Sequence, residues 1–259
     1  MSTQDQRVVE EFSRQAATMS EAAIFNDETI LNRIRDFACG SGGAPQIHVL
    51  DVACGPGIVV AHLAPHCHEI TGCDMTPAML DKARARTAAK GIANAHFVPG
   101  RVEALPFDDA SFDVVVSRSA VHHFADPPAA FREMARVTRK GGRIITVDVA
   151  ACESEADARL HNALETLRDP SHVRMLSRSE LHRALAQAGL AIEEAVTWTN
   201  HREFDEWMKI IDAPERIGPL KVVMTALAEA GVSVGVGLRL DQGRLRFEHQ
   251  PALTVAVKP

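Results

Sequence analysis

The chain has 259 residues, of which 46% are hydrophobic and 24% are charged, values typical of a globular protein that builds its core without disulfides. Its formal net charge is -6 and no dense run of Lys or Arg occurs, which argues against nucleic acid or an acidic membrane as a partner. The five cysteines are scattered, the first residues are polar, and no apolar run approaches the roughly 20 residues that a membrane span needs. We therefore expect a cytoplasmic protein that acts on a small molecule and that can form a homodimer.

Two helices are predicted at the start of the chain. Apolar residues recur with helical spacing over 8–17 and again over 27–38. The stretch GSGGAP at 40–45 is a flexible break before the first strong strand. We expect residues 1–40 to form a helical lid, with Phe12, Met19 and Phe25 folded over a ligand pocket that excludes water.

The middle of the chain alternates between apolar runs and helical patterns. This alternation predicts a parallel sheet with helices on both faces over residues 45–150. The predicted strands are 47–53, 69–73, 95–99, 112–117 and 143–148, and the predicted helices are those ending near 64 and those over 77–90 and 128–138.

The last part of the chain, residues 151–259, is predicted to combine an inserted cap with the closing strands of the core. Ser177 is a typical N-cap and Gly189 a typical helix stop. The segment 232–247 is Gly-rich and alternating, which predicts a strand or a hairpin. The remaining predictions are helices over 153–168, 203–211 and 220–230 and strands over 190–198 and 252–257.

A glycine turn follows the first predicted strand. The sequence VLDVACGPG over 49–57 places Asp51 on the strand, and Gly55 and Gly57 in a turn before a helix. Glycines allow a ligand to approach the backbone, and the helix behind them offers free N–H groups. The turn does not match the G-x-G-x-x-G pattern that cradles a pyrophosphate. Asp51 could instead receive the ammonium group of an amino-acid-like ligand.

A second aspartate ends the next predicted strand. In the sequence GCD, Asp74 lies at the strand tip about 20 residues after the turn, where a carboxylate can accept both hydroxyl groups of a ribose. Together, Asp51 and Asp74 indicate a nucleoside that carries an amine.

Five motifs in fixed order resemble one enzyme family. VLDVACGPG, GCDMTPAMLDKAR, GRVEALPF, FDVVVSRSAVHHF and EMARVTRKGGR are similar to class I S-adenosylmethionine-dependent methyltransferases of the ubiquinone/menaquinone-biosynthesis type, and most to their YcgJ-like small-molecule branch. The resemblance implies a Rossmann-like α/β fold with a seven-stranded, mostly parallel sheet, an N-terminal helical lid and inserted cap helices. It implies S-adenosylmethionine as cofactor and S-adenosylhomocysteine as product.

The resemblance also assigns roles around the cofactor. The chain departs from the family at two positions. Ala53 stands where the family often has Gly. Arg101 stands where many relatives have an Asp that accepts a hydrogen bond from the adenine amino group, and a backbone carbonyl would have to replace that contact. For Glu103, pinning a loop is an alternative to touching the ligand. The implied contacts are Asp51, Ala53, Gly55 and Gly57 around the methionine part, Asp74 and Met75 at the ribose, Arg101, Val102 and Glu103 at the adenine, and Ser117 beside the sulfonium.

The pair His122-His123 follows the fourth predicted core strand, at the sheet edge where ligands bind in open α/β folds. With a usual pKa near 6.5, a histidine can take a proton from a phenol, an enol or a ring nitrogen. We favour His123 as the base, while helix capping by both histidines stays open. His172 and Arg174 of DPSHVR could reach the acceptor from above, and an ion pair within the cap is the alternative for Arg174.

The predicted function is methyl transfer to an O, N or C atom of a small aromatic or enolic metabolite. One alternative is a methyltransferase-like protein with a non-methylating role, as a lyase, cyclase or regulator; an NAD-dependent oxidoreductase is a further alternative that the glycine turn argues against. The cluster His62, His66, Cys67 and His68 has partial metal-ligand spacing, but it falls away from the ligand edge, so we interpret it as a solvated helix end and predict no metal.

Overall fold

The computed structural model describes residues 2–259. The first two helices are amphipathic and capped: Ser2 and Asp5 form a reciprocal capping box at the first, and Asp27 caps the second. The first is longer than predicted from its apolar residues, because the cap rather than the hydrophobic pattern determines where it begins. The two helices are α1 (Thr3–Glu21) and α2 (Glu28–Cys39).

Five parallel strands and their helices follow, as the alternating pattern predicts. Two of the helices have a proline in their first turn, where a backbone N–H would have no partner within the helix. In chain order the elements are β1 (Ala44–Val52), α3 (Ile58–Leu63), β2 (Cys67–Asp74), α4 (Pro77–Ala89), β3 (Ala95–Pro99), β4 (Phe112–Arg118), α5 (Pro127–Val137) and β5 (Thr138–Ala150).

The remainder of the chain forms the inserted helices and the closing strands. The helix predicted at 203–211 is shorter, and the one predicted at 220–230 begins earlier, at Pro214, with Pro219 tolerated inside it. The elements are α6 (Glu155–Arg168), α7 (Arg178–Gln187), β6 (Ala191–Thr197), β7 (Asn200–Glu203), α8 (Phe204–Met208), α9 (Pro214–Glu229), β8 (Arg239–Asp241) and β9 (Arg244–Val257).

Seven strands form one continuous sheet in the order β3-β2-β1-β4-β5-β9-β6. The first five are parallel, and β9 is antiparallel to both of its neighbours, so the predicted seven-stranded, mostly parallel sheet is confirmed. The N-terminal half of β9 also pairs with β7 and β8. The predicted hairpin over 232–247 is confined to β8 and the start of β9, because turns occupy the residues before it.

The order of the strands determines where a ligand can bind. Connections leave the sheet in opposite directions from β1 and β4, which are neighbours, and this reversal opens a crevice beyond the carboxyl ends of the strands. Apolar cores cover both faces of the sheet, and a third packs among α6, α8, α9 and the β8–β9 hairpin. Within residues 2–259, no helix combines the length and the apolar character needed to cross a membrane.

Candidate active site at the carboxyl edge of the sheet

The turn after β1 is tight and left-handed at three points. Ala53, Gly55 and Gly57 have φ values of 54°, 51° and 72°. A Cβ on Gly57 would lie 2.7 Å from the Cβ of Ala83 on α4, so this glycine allows α3 and α4 to pack closely. Gly57 lines neither of the two cavities described below, and its contact with the cofactor stays a prediction. Ala53 and Gly55 do line one.

Asp74, at the tip of β2, fixes the glycine turn in place. One carboxylate oxygen accepts the Gly55 N–H at 2.9 Å and the other accepts the Thr76 N–H at 2.8 Å. Each oxygen keeps a free lone pair, and the side chain faces the cavity. Asp74 can therefore hold two hydroxyl groups of a ligand while it organises the backbone around them.

Asp51 is a buried carboxyl group that lacks a full set of partners. It is 1% exposed, and its Oδ2 has no hydrogen-bond partner in the part of the chain that the structure describes. Burial and then the charge of Asp74 raise its pKa to about 8, against the smaller opposing effect of Arg118. A cationic ligand group beside Asp51 would satisfy this oxygen and restore the ionised form. The ammonium of a methionine moiety has this chemistry.

An open cavity with about 1050 Å³ of empty space lies over this turn. Helix α1 forms the opposite wall with Gln4, Asp5, Val8, Phe12 and Met19. The predicted cofactor residues that line the cavity are Asp51, Ala53, Gly55, Asp74, Met75, Val102 and Glu103.

Two predicted cofactor residues lie elsewhere. Arg101 points to the lid, where it pairs with Asp5 and lies 3.6 Å from the Oε2 of Glu103, so it is a lid contact rather than a cavity wall. Ser117 is fully buried, its Oγ finds no partner among the described residues, and it lines neither cavity. The next strand residue, Arg118, lines both cavities, and the contact of Ser117 with the sulfonium stays a prediction.

Glu103 pins a loop, and its position leaves the predicted contact with the ligand open. It lines the cavity, and its Oε1 also accepts the Ala125 N–H at 3.2 Å. The carboxylate therefore joins the loop after β3 to the loop after β4.

A second cavity, with about 980 Å³ of empty space, adjoins the first. The two share a common boundary, and the second continues between the lid and the inserted helices, where its wall includes Trp198 and Trp207. The shared boundary consists of Phe12, Met19, Phe25, Arg118, Ser119 and His123.

Arg118 ties the lid to this boundary. Its guanidinium donates to the backbone oxygens of Phe25 at 2.6 Å and Ile24 at 3.1 Å, in the connection between α1 and α2. Burial lowers its pKa to about 10, although Asp51 and Asp27 oppose that shift. Sequence analysis missed Arg118, and its place as the last residue of β4 at the ligand edge was the available signal.

His122 and Asp148 form a dyad on the wall of the second cavity. The Nδ1 of His122 is 2.6 Å from the Oδ1 of Asp148, which lies on the neighbouring strand β5. Burial disfavours the imidazolium, but Asp148 outweighs it and the pKa of His122 is raised. With Nδ1 donating to the carboxylate, the lone pair of Nε2 is available to another group.

His123 and His172 are held as neutral imidazoles. Burial and then the charge of His122 lower the pKa of His123 to about 4, and its Nδ1 is 3.1 Å from the Oγ of Ser171. The same two effects lower the pKa of His172 to about 3, and its Nε2 is 2.8 Å from the Oδ1 of Asn162. All three histidines line the second cavity, and His123 also lines the first.

Comparisons with known proteins fit this geometry. Residues 50–146 match the family model described as a methyltransferase domain. An uncharacterised methyltransferase, YcgJ of Bacillus subtilis (strain 168), is 35% identical over 199 residues, which cover 76% of this chain and 77% of YcgJ. This chain belongs to the class I S-adenosylmethionine-dependent methyltransferases.

Solved structures of similar proteins cover nearly the whole methyltransferase. The crystal structure of YcgJ has a TM-score of 0.81 at 32% identity and covers 89% of this chain and 98% of that one. The protein BH2331 of Bacillus halodurans C-125 also has a TM-score of 0.81, at 29% identity, and covers 90% of this chain and 99% of that one. The [4+2]-cyclase SpnF, at 17% identity and a TM-score of 0.67 over 100% of this chain and 97% of that one, shares the fold alone.

The remaining predicted acceptor residue of the methyltransferase, Arg174, lies outside both cavities. Its side chain is 51% exposed and pairs with Glu180 at 2.7 Å, so the ion-pair alternative is the correct one. Its backbone N–H still donates to the carbonyl of His122 at 3.0 Å, as does that of Val173 at 2.8 Å. The loop therefore supports the dyad through the main chain.

The histidines of the methyltransferase also gather at a place that the sequence did not indicate. The Oε1 of Glu165 lies 3.6 Å from the Nε2 of His161 and 3.3 Å from that of His249, and all three residues are buried. Cys67, from the cluster considered in the sequence, instead contacts the carbonyl of Leu63, and its pKa is raised to about 12 by burial first. Because His249 lies on the last strand, only the fold brings this second group together.

Proposed function

We propose that the methyltransferase binds S-adenosylmethionine in the first cavity and methylates an O, N or C atom of a small aromatic or enolic acceptor in the second. The fit of the first cavity rests on Asp51, whose unpartnered carboxylate oxygen suits the ammonium of the methionine part. Asp74 would hold the ribose hydroxyls, and Val102 and Glu103 the adenine. When bound, the cofactor supplies an electrophilic methyl group.

The dyad of His122 and Asp148 carries the catalytic part of the proposal. A methyl acceptor that bears a proton needs a base at the moment of transfer, and a base works best when its pKa lies near the working pH. His122 meets this need better than His123, because Asp148 orients its ring and raises its pKa while the pKa of His123 falls to about 4. We therefore assign His122 as the base and His123 as a neutral part of the wall.

The other residues around the second cavity would position the acceptor and exclude water. Phe12 packs edge to face against His123 with ring centroids 4.8 Å apart, which holds this imidazole between the lid and the dyad. The aromatic walls at Trp198 and Trp207 suit a flat, largely apolar acceptor. Holding donor and acceptor in line supplies much of the rate enhancement that such a transfer needs.

Turnover assays of His122→Gln test the assignment. Purified protein, S-adenosylmethionine and a panel of small phenols and enolisable carbonyl compounds are incubated, and S-adenosylhomocysteine is quantified. We expect acceptor-dependent release that His122→Gln lowers by about 10²- to 10⁴-fold. Affinity for S-adenosylhomocysteine stays unchanged, because His122 lines only the second cavity. The matched control is His68→Gln, an exposed histidine outside both cavities.

Two outcomes would contradict the proposal. Equal turnover by wild type and His122→Gln would remove the assigned base. Tight binding of S-adenosylhomocysteine with no release from any acceptor of the panel would instead favour a non-methylating role.

A further inference from the structure

The second cavity contains two buried guanidinium groups that the proposed reaction does not use. Arg168 ends α6 and Arg202 lies on β7, and their side chains are 12% and 3% exposed. Both line the second cavity and neither lines the first. A buried charge is costly unless it is paired and hydrogen-bonded, so two of them in one wall require an explanation.

Arg202 is poorly neutralised by the protein. Its Nε is buried without a partner within residues 2–259, and the nearest carboxylate, that of Glu206, lies 3.3 Å from Nη2 and is 55% exposed. Burial lowers the pKa of Arg202, and the charge of Arg168 lowers it further against the effects of Glu206 and Glu165. Both guanidiniums line the same cavity, so their like charges oppose each other there.

Arg168 is fixed in orientation but also keeps an open donor. Its guanidinium lies 4.6 Å from the ring centroid of Trp207 and donates to the Trp207 carbonyl at 3.0 Å, while Nη1 is 3.4 Å from the Oε2 of Glu165. Its Nε is buried with no partner among the described residues. An arginine that is stacked, held in one orientation and left with a free Nε–H donor is well suited to a planar anion.

The carboxylates of the same wall are already engaged and leave these donors free. Asp148 binds His122, Asp169 accepts from Ser171 and Gln15, and Asp27 caps α2. Burial works against the ionised form of Glu165, but the close imidazoles of His161 and His249 and then the charge of Arg168 hold its pKa well below the usual range.

We propose that Arg168 and Arg202 form a subsite for an anionic group of the methyl acceptor, a carboxylate or a phosphate, at the part of the second cavity that does not border the first. This inference rests on the proposed function and narrows its acceptor to a small anionic compound. An anion between the two guanidiniums would fill both open donors and relieve their repulsion. The tryptophan ring under Arg168 provides the adjoining apolar surface.

The nearby group of His161, Glu165 and His249 does not favour a cation instead. A divalent ion there would share Glu165 with Arg168 and would face Arg202 as well. A cation at this carboxylate would be repelled by the Arg168 guanidinium, whose Nη1 lies 3.4 Å from the Oε2 of Glu165. The donors that stay open in this region are the Nε–H groups of the two arginines.

Calorimetric titrations of three probes test the subsite in protein saturated with S-adenosylhomocysteine. The probes are benzoate, phenyl phosphate and uncharged benzamide, so the two anions distinguish a carboxylate from a phosphate. We expect at least one anion to bind about tenfold or more tightly than benzamide, which corresponds to one charge-assisted contact. Arg202→Met removes that preference. Arg202→Lys keeps part of it, because lysine retains the positive charge but not the planar guanidinium.

The stability of the ligand-free variants gives a second readout. Arg202→Met unfolds at the same temperature as wild type or above it, since the change removes a buried charge without a full set of partners. The control Arg159→Met changes an exposed arginine of α6 that pairs with Glu155, and it leaves the anion preference intact.

Four results would overturn the subsite: no preference for either anion in wild type, an unchanged preference in Arg202→Met, a lower unfolding temperature for that variant, or stoichiometric zinc that His249→Ala removes. Each leaves the proposed methyl transfer standing as long as S-adenosylhomocysteine binds. Failure of wild type to bind S-adenosylhomocysteine would instead remove the proposed function itself.

Discussion

His122 and His123 are neighbours in the chain, yet the pKa of one is raised and that of the other falls to about 4. The difference comes from their partners. Asp148 faces His122 with a full charge, whereas His123 faces the hydroxyl of Ser171 and the charge of His122. One carboxylate on a neighbouring strand therefore determines which imidazole can take a proton.

Titration of the histidine side chains by NMR checks this difference directly. We expect the pKa of His122 to lie above its usual 6.5 and that of His123 to lie well below it. In Asp148→Asn the pKa of His122 falls, because its charged partner is lost. The asparagine oxygen can still accept the N–H of Val149, so the strand is preserved.

The same pair makes stability depend on pH. Because the folded pKa of His122 is raised, its stabilising contribution is fully present below the unfolded pKa and is lost as pH rises through the folded pKa. The gap in Tm between wild type and Asp148→Asn should therefore narrow as pH rises from 5 to 9. A gap that widens with pH would contradict the assigned charge states.

The residues of the cofactor cavity were predictable to different degrees. Asp51 and Asp74 were visible because each lies at or next to the end of a strand whose apolar pattern is strong, and both line the cavity. The preference for His123 could not be checked from sequence, since Asp148 is 26 positions away from His122 and only strand pairing brings them together. Arg202 was invisible for a similar reason, because a lone arginine carries no motif.

At the scale of elements, α1 is held over both cavities by buried polar contacts. Glu11 receives the guanidinium of Arg216 through contacts of 2.7 Å and 3.0 Å, and it also pairs with Arg14. Farther along the helix, Gln15 donates to Asp169 and Thr18 donates to the carbonyl of Ile210. Polar contacts of this kind fix the position of a lid more specifically than apolar packing does.

Glu11→Gln tests whether this anchoring controls access to the cofactor. The change removes one charge of a buried ion pair, which costs about 1 to 3 kcal/mol. We expect faster hydrogen exchange throughout α1. We also expect the affinity for S-adenosylhomocysteine to weaken by about three- to tenfold, because part of the lost stability would appear as a lid that opens more often.

The control for the lid is Glu10→Gln, an exposed glutamate on the same helix that makes the same chemical change. It should alter neither the exchange rate nor the affinity. Equal effects of the two substitutions would mean that overall helix charge, and not the buried pair, determines how the lid closes.

Elements were predictable wherever a local pattern was strong. The alternation over residues 45–150 and the N-cap at Ser177 each have their own sequence signal, and the structure shows the strands and the helix there. Strand β9 was only half predicted, because its first residues are fixed by pairing with β7 and β8 rather than by their own hydrophobic pattern. Pro219 concealed the first residues of α9, where one missing hydrogen bond is tolerated.

At the scale of the whole molecule, the two cavities form a continuous site whose halves come from different parts of the chain. The core motifs, clustered between Val49 and Arg143, made the cofactor half predictable. The acceptor half is assembled from α1, α6, β7 and β9, which meet only in the folded protein. Because loops and inserts vary independently of the core, the acceptor that we propose rests on the folded structure of this half and not on a motif.

In the proposed complex, Asp51 holds the ammonium group of the cofactor. Calorimetric titration of wild type and Asp51→Asn with S-adenosylhomocysteine, and with methylthioadenosine, which lacks the amino-acid part, tests it most directly. We predict that Asp51→Asn weakens S-adenosylhomocysteine by about 10- to 100-fold, the value of a charge-assisted contact, and leaves methylthioadenosine unchanged. Equal losses for both ligands, or none for either, would contradict the account.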